Sequence, residues 1–420
     1  MNQKLYAILR YIKYKWKRLL VVALIIGPGL ITAFADNDAA GVSAYSVSAA
    51  TFGYRILIIT IPMTILLALT QEIGARIGIV ADKGLADLIR EQYGVRISIA
   101  MFVLLFIVNF TVVVLDLAGV KSALALFGLP TILLPIIVGL LFLFIVRVQY
   151  KTTERFFLIT IGFYLVYMVS AILSKPDWGM AVRSMILPEG PFSPKFIYTA
   201  IAVVGTTITA WGQFFINSTV KDKHLTVEHL KYNRWEVYTG AFLTDLFSFF
   251  MMVAVIATLF VHGVQITGAA EASIAIKPFA GNLAGLLFGM GLFVAGLFGC
   301  IIVPLSTSYA FSEFFGYPGS LNEDFHKSRL FYTILLIQLA LGTIIVLFPA
   351  VTLFSITVIG NFFNGAVLPI IFFFLYRFVN NEKIMGKHRN TRLQNWLLVG
   401  GGVFITAASL LSIAGQVLGW

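Results

Sequence analysis

Five acidic side chains stand in stretches of sequence otherwise too apolar for water. Asp36 and Asp38 lie in the run GPGLITAFADNDAAGVSAYSVSAATFGY (27–54), and Glu72, Asp116 and Asp245 lie in three later runs. An ionisable group held in hydrocarbon is costly, so each is a functional candidate by default. Acids without buried cationic partners suit cations as ligands, and only Lys121, near the outer end of its run, stands at a comparable depth. Asp36 and Asp38 carry the sharpest signal. Asp-Asn-Asp followed by Ala-Ala-Gly is poor helix interior, because Asp and Asn compete for the local backbone. A break there frees carbonyls, that of Ala35 among them, at a depth where irregular backbone survives only inside protein or along a cavity. A kinked helix with a satisfied Asp is the bland alternative.

The other three acids are weaker signals. Glu72 reads as a gating salt-bridge partner or as a water-exposed side chain. Asp116 reads as a cation attractor in an outer vestibule, and Asp245 either approaches the site or caps a polar pocket. Asn361 and Asn364 suit interhelical hydrogen bonding as well as site lining. Cys300 reads as a small packed residue. All five His residues (His224, His229, His262, His326, His388) fall in loops or at span ends, which argues against a buried imidazole relay.

The elements that must position these residues follow from composition. Of 420 residues, 59% are hydrophobic and 12% charged, with mean hydropathy +0.92. Soluble domains run near 45–50% apolar and about 25% charged, so most of this surface faces lipid. One Cys excludes a disulfide framework and Cys-based metal sites. Windows of about 20 apolar residues predict eleven spans: 19–50 (interrupted), 56–77, 97–118, 129–148, 156–174, 196–220, 239–261, 284–311, 329–348, 350–376 and 394–417.

Of the 30 Lys and Arg residues, only Arg55, Lys121, Lys175, Arg183, Lys195 and Lys277 fall outside when the N-terminus is placed in the cytoplasm. That asymmetry fits the positive-inside rule and puts the C-terminus outside, in a multi-pass plasma-membrane protein. Residues 1–18 read as a basic cytoplasmic segment lying on anionic headgroups, and no cleavable signal is expected. Residues 78–96 read as a short amphipathic cytoplasmic helix, 175–195 as an outer loop and 315–328 as an inner loop.

The sixth span is also interrupted, at Gly205, Thr206, Thr207, Thr209, Gly212 and Gln213. Breaks at corresponding positions of two halves point to an inverted-repeat transporter with its site at the midplane. The halves are 19–174 and 196–376, with an inner loop and a final span in 377–420.

At these breaks the sequence resembles the Nramp family of divalent-metal transporters. Gly27-Pro28-Gly29, the stretch ARIGIVADKGLADLIREQYG (75–94) and Asp116-Leu117-Ala118 carry the likeness over most of the chain. The resemblance implies an all-α integral membrane protein of about eleven spans, a LeuT-like five-plus-five inverted repeat with one extra helix, broken at helices 1 and 6. It also implies Asp38 as metal ligand, because Asp38-Ala39-Ala40-Gly41 stands where the family has Asp-Pro-Gly-Asn. On helix 6, Ala210-Trp211-Gly212 stands for Met-Pro-His, or Thr209 takes the Met position if the alignment slips by one. Gly119 replaces an acid on helix 3, and Asn361 stands where the family often has Gln.

Loss of the soft thioether at Ala210 removes the bias toward later metals, whereas Mg²⁺ keeps its waters and prefers one or two carboxylates. The expected ligands are Asp38, Gln213 and the backbone near Ala35 and Ala210, with Asp36, Gly41, Gly212, Asn361, Asp116, Asp245 and Glu72 lining the site. This pattern is similar to the Nramp-related magnesium branch, whose members also carry Mn²⁺. The absent His and acid point away from proton coupling. Rivals are a proton-coupled Mn²⁺/Fe²⁺ symporter, a symporter for an organic solute and a channel. A membrane enzyme would need a nucleophile or a His/Glu metal constellation within the spans, and neither HExxH nor a buried His cluster is present. No cofactor and no nucleic-acid partner are expected. The partners are the metal ion and the bilayer, and a monomer is the working expectation.

Overall fold

The computed structural model describes residues 27–148, 150–348 and 353–418, so the basic segment 1–18 lies outside the described residues. Two expected spans break at the polar positions marked in the sequence, and a third, 156–174, is interrupted at Phe163 and Tyr164. The first span divides into α1 (Pro28–Ala35) and α2 (Ala39–Phe52), and a 3-10 stretch, Gly53–Ile59, leads into α3 (Thr60–Ala81). Gly53 makes that corner at φ +59, where a Cβ would also meet the Phe260 ring at 2.3 Å. Then come α4 (Leu85–Leu126), α5 (Leu133–Arg147), α6 (Tyr150–Gly162), α7 (Leu165–Leu173) and α8 (Trp178–Ser184). The second break separates α9 (Pro194–Thr207) from α10 (Ala210–Asp222). The remainder comprises α11 (Leu230–Val255), α12 (Ala269–Ala280), α13 (Asn282–Phe315), α14 (Arg329–Leu347), α15 (Leu353–Val379), α16 (Glu382–Met385) and α17 (Arg392–Leu418).

Among the described residues, the part of each expected span that is described coincides with a helix or a helix pair, and no strand occurs. That outcome follows from the solvent: in hydrocarbon the backbone must satisfy its own polar groups, which a helix does within one segment. Among the described residues, seven stretches are long and apolar enough to cross a membrane, and Leu133–Arg147 and Val367–Val379 are shorter apolar helices.

One local expectation is sharpened and one needs correction. Residues 78–81 belong to α3, and the short helix expected within 78–96 is present as 85–93, set off from the rest of α4 by the non-helical Gly94 (φ +79). The stretch 175–195, expected as an outer loop, holds a helix, α8, which Asp177 caps by accepting from the Met180 N–H at 2.8 Å.

The core sits where α13 lies along α4, with α3, α10 and α11 closing around α1 and α2. Small residues allow this approach, as in other membrane interfaces. A Cβ on Gly296 would stand 2.9 Å from the Asp116 carbonyl, and one on Gly119 would stand 2.4 Å from the Ala39 Cβ. Gly119, which replaces an acid of the family pattern, is thus the point at which α2 rests on α4.

Candidate functional site

The α1–α2 turn is three residues long, and each has a different task. Asp36 closes α1, Asn37 anchors the turn and Asp38 begins α2. Asp38 is an N-cap: its Oδ1 accepts from the Gly41 N–H at 2.7 Å, as short polar side chains do at this position. A second carboxylate meets the same helix end, since Asp116 Oδ1 accepts from the Ala39 N–H at 2.9 Å. The partial positive charge of the first helical turn favours both. Asp116 therefore lies at the break and not in an outer vestibule. The expected outer position fails because α4 continues ten residues past Asp116. Its other oxygen, Oδ2, has no hydrogen-bond partner among the described residues and lies against Gly299, where a Cβ would come within 2.1 Å.

Asp36 ties the two breaks together. Its Oδ1 accepts from Thr209 Oγ1 and its Oδ2 from Gln71 Nε2, both at 2.9 Å. Thr209 is itself the N-cap of α10, its hydroxyl accepting from the Gly212 N–H at 3.2 Å. Gly212 and Gly41 border this link: a Cβ would stand 3.5 Å from Asp36 Oδ1 in the first case and 2.7 Å from the Asp36 carbonyl in the second.

Asn37 fastens the turn to α11. Its amide donates to the Thr244 carbonyl and hydroxyl, both at 2.8 Å, and accepts from Ser248 Oγ at 2.7 Å. The Tyr164 hydroxyl donates to the Asn37 carbonyl at 3.0 Å. Asp245, between Thr244 and Ser248, is buried within electrostatic reach of Asp36.

Several expected residues sit elsewhere or are otherwise engaged. The Ala35 carbonyl accepts from the Asp38 N–H at 3.1 Å, so part of its capacity is used. Ala210 is fully buried as the first residue of α10. Gln213 Oε1 has no hydrogen-bond partner among the described residues and lies against Gly74 of α3. The side chain of Asn361 lies outside the described residues. Asn364 donates to the Gly205 carbonyl at 3.1 Å, tying α15 to α9.

Glu72 belongs to an ion-pair cluster away from these contacts. It meets Arg76 and Arg234, each at 3.0 Å, and Arg76 also donates to the His388 carbonyl at 2.8 Å. Lys121 is thus not the one cation available at depth: Arg76, one helical turn beyond Glu72, is buried beside it.

Sequence reasoning passed over Gln71, Asn37, Thr244, Ser248 and Tyr164. Only Asn37, between two acids, carried a visible cue. It also passed over Glu236, whose Oε1 accepts from the Gly27, Gly29 and Leu30 N–H groups at 2.6, 3.0 and 3.1 Å. These are donors that the first turn of α1 cannot satisfy within itself. Among the described residues no three His, Cys, Asp or Glu side chains converge as a preformed metal cage. The arrangement can hold a cation by one or two carboxylates with water completing its shell.

The fold is shared with known proteins. The profile of the Nramp family, described as natural resistance-associated macrophage protein-like, matches residues 29–415. The chain belongs to the Nramp family. Among curated Nramp relatives, the divalent metal cation transporter MntH of Yersinia pestis is 24% identical over 290 residues, covering 67% of this chain and 71% of its own. A point mutant of the Eremococcus coleocola manganese transporter superposes with TM-score 0.74 at 19% identity, over 94% of this chain and 87% of that one. A Na⁺-coupled sialic acid symporter gives TM-score 0.60 at 12% identity, over 93% and 90%. These likenesses establish the all-α, LeuT-like fold class for this Nramp member.

Proposed function

We propose that this chain is a multi-pass plasma-membrane transporter that imports a hard, largely hydrated divalent cation, Mg²⁺ and also Mn²⁺, by alternating access around its two helix breaks. Its family, and relatives described as transporters of divalent metal cations and of manganese, support the general reading. One observation carries the finer one: the side chains hydrogen-bonded to the turn at 36–38 present only oxygen and amide groups, and Ala210 offers no side-chain ligand across from them. Oxygen donors without a thioether suit Mg²⁺ and do not select later metals. Asp38 is the principal ligand, largely through water. Asp36, Asp116, Gly41 and Gly212 line the site, and the backbone at Ala35 contributes its remaining lone pair.

Uptake needs no proton in this reading, because moving two charges inward gains about 4.6 kcal/mol per 100 mV, from about 2.3 per charge. The cytoplasmic N-terminus, the outer C-terminus, the monomeric state and the absence of enzymatic activity or a resident cofactor belong to the same reading. Proteoliposome uptake tests it. Millimolar Mg²⁺ is expected to compete with Mn²⁺ and to be carried itself, with lumenal pH steady. Absence of competition overturns the magnesium assignment, and lumenal acidification coupled to uptake overturns the uncoupled one. The unpartnered Oδ2 of Asp116, beside Asp38, is the feature that favours the rival proton-coupled Mn²⁺/Fe²⁺ reading.

A further inference from the structure

The ends of three helices enclose a cavity of about 300 Å³ on the inner side in the import reading. The start of α4, the last two turns of α10 and the end of α13 form its walls, and 316–319 closes one side. None of the residues described at the helix breaks lines it.

Hydrogen bonds between α10 and α13 gather its carboxylates. Ser218 Oγ donates to Glu313 Oε1 at 2.7 Å, and the Tyr309 hydroxyl donates to Asp222 Oδ2 at 2.5 Å. Ser218 and Asp222 are four residues apart on α10, as are Tyr309 and Glu313 on α13, so each pair shares a helix face with Cβ atoms about 5–6 Å apart. The two cross-helix bonds therefore set Asp222 and Glu313 on one wall of the cavity. Two side-chain oxygens of that wall have no hydrogen-bond partner among the described residues: Glu313 Oε2 and Ser312 Oγ. Glu313 is 7% exposed and Ser312 2%, yet both line the cavity.

The charges around the cavity leave this wall negative. Three acids and two bases line it, and both bases are spent on one acid: Lys221 meets Asp87 at 3.0 Å and Arg90 meets it at 3.3 Å. Asp222 and Glu313 have no Lys or Arg ion pair among the described residues. Buried carboxylates persist when they are paired or bind a metal. Hard divalent cations take carboxylate and hydroxyl oxygens and keep several waters. A water occupies about 30 Å³ of liquid, so the cavity has room for such an ion with its shell. No His, Cys or Met lines it, so no ligand there selects later metals.

We infer that Glu313, Asp222 and Ser312 form an inner-face site for a hydrated divalent cation, separate from the one at the breaks. The two carboxylates supply the charge, Ser312 Oγ one neutral oxygen and water the remainder. The site stands on this cavity, and its effect on transport rests on the importer reading. An ion there bridges the last turn of α10 to α13. Because α10 is one half of the broken sixth span, inner cation then opposes the movement that alternating access needs.

Electron paramagnetic resonance of Mn²⁺ with the full chain in phosphatidylcholine nanodiscs tests the site, since loss of the free-ion signal counts the bound ions. Wild type is expected to bind one Mn²⁺ more than Glu313→Gln, and equal counts overturn the site. If Glu313→Gln does not fold, Ser312→Ala removes only the orphan hydroxyl. A threefold or greater weakening of one Mn²⁺ supports the site, and unchanged binding overturns it. Binding of inorganic phosphate in place of Mn²⁺, abolished by Lys221→Gln, also overturns it. In proteoliposomes, Mg²⁺ loaded inside is expected to slow initial Mn²⁺ entry. Glu313→Gln is expected to raise the half-inhibitory Mg²⁺ at least fivefold, with entry in the absence of inner Mg²⁺ within twofold of wild type. An equal response in the variant overturns the effect on transport. Failure of wild type to carry either Mn²⁺ or Mg²⁺ while the inner ion still binds is a different result, which removes the importer reading and leaves the site.

Discussion

Glu236 holds the start of α1 to α11, and loosening that contact should free the helix that an alternating-access cycle has to move. One carboxylate oxygen collects three backbone N–H groups at 2.6–3.1 Å, while Asn233 Nδ2 steadies the other oxygen at 3.2 Å. The approach is possible because Gly29 has no side chain: a Cβ there would stand 2.6 Å from a Val237 methyl. Pro28, lacking an N–H, is placed where none is needed. Hydrogen bonds to a charged group are worth about 1.5–3 kcal/mol each in net terms, but three donors on one oxygen do not add fully.

Glu236→Gln keeps an oxygen acceptor and loses the charge, for a cost of about 1–2 kcal/mol, equivalent to a roughly 5–30-fold change in an equilibrium. Glu236→Ala strands the donors, for about 3–5 kcal/mol, the range for breaking a buried charged contact. The assay is the labelling rate of Leu30→Cys by a membrane-impermeant maleimide, with the buried Cys300 as the unreactive background. Rates should rise in the order wild type, Gln, Ala, and saturating Mn²⁺ should alter them. Labelling of the Ala variant at the wild-type rate, in protein that melts normally, would refute the assignment of Glu236 as the contact that holds α1.

Thr209→Val removes the hydroxyl that links the breaks through Asp36, and should cost about 1.5–3 kcal/mol of stability and most of the transport. Thr209→Ser should restore both in melting and uptake assays. Glu72→Gln leaves Arg76 buried without its anion and should lower stability by about 3–5 kcal/mol while leaving the Mn²⁺ dissociation constant unchanged; a weakened dissociation constant would place Glu72 on the ion path. Asp38→Asn keeps an acceptor for the Gly41 N–H, so its stability should fall by less than about 1 kcal/mol while uptake of Mg²⁺ and Mn²⁺ is lost. Retained uptake would move the principal ligand to another carboxylate.

How much of this was legible in the sequence depends on which interactions are local. An acid in an apolar run is visible because its cost is set by the run itself, and Asp36, Asp38, Asp116 and Asp245 could all be marked. The helix interruptions were visible for the same reason, since Asp-Asn-Asp and Gly/Thr-rich stretches weaken helix where they stand. What those acids meet was not visible: Thr209 joins Asp36 across 173 positions and Glu236 joins Gly27 across 209. Nothing in the local pattern around Thr209 or Glu236 distinguishes them from a solvated Thr or Glu.

The Glu72–Arg76 pair is a different case. Spacing of four on one helix is a readable signal, and it was passed over because Arg76 was placed at the edge of a span ending at 77. The helix runs on to Ala81, which carries Arg76 inward, so the salt bridge expected of Glu72 forms with Arg76 on its own helix. The same displacement affected Asp116, read by distance from the end of a span that continues to Leu126. Depth is the quantity that hydropathy windows measure least well, and depth decides whether an acid is a ligand, a cap or one side of an ion pair. Asp36 and Asp38, both buried, were legible because of the break itself, since interrupted helix is tolerated only inside protein or along a cavity.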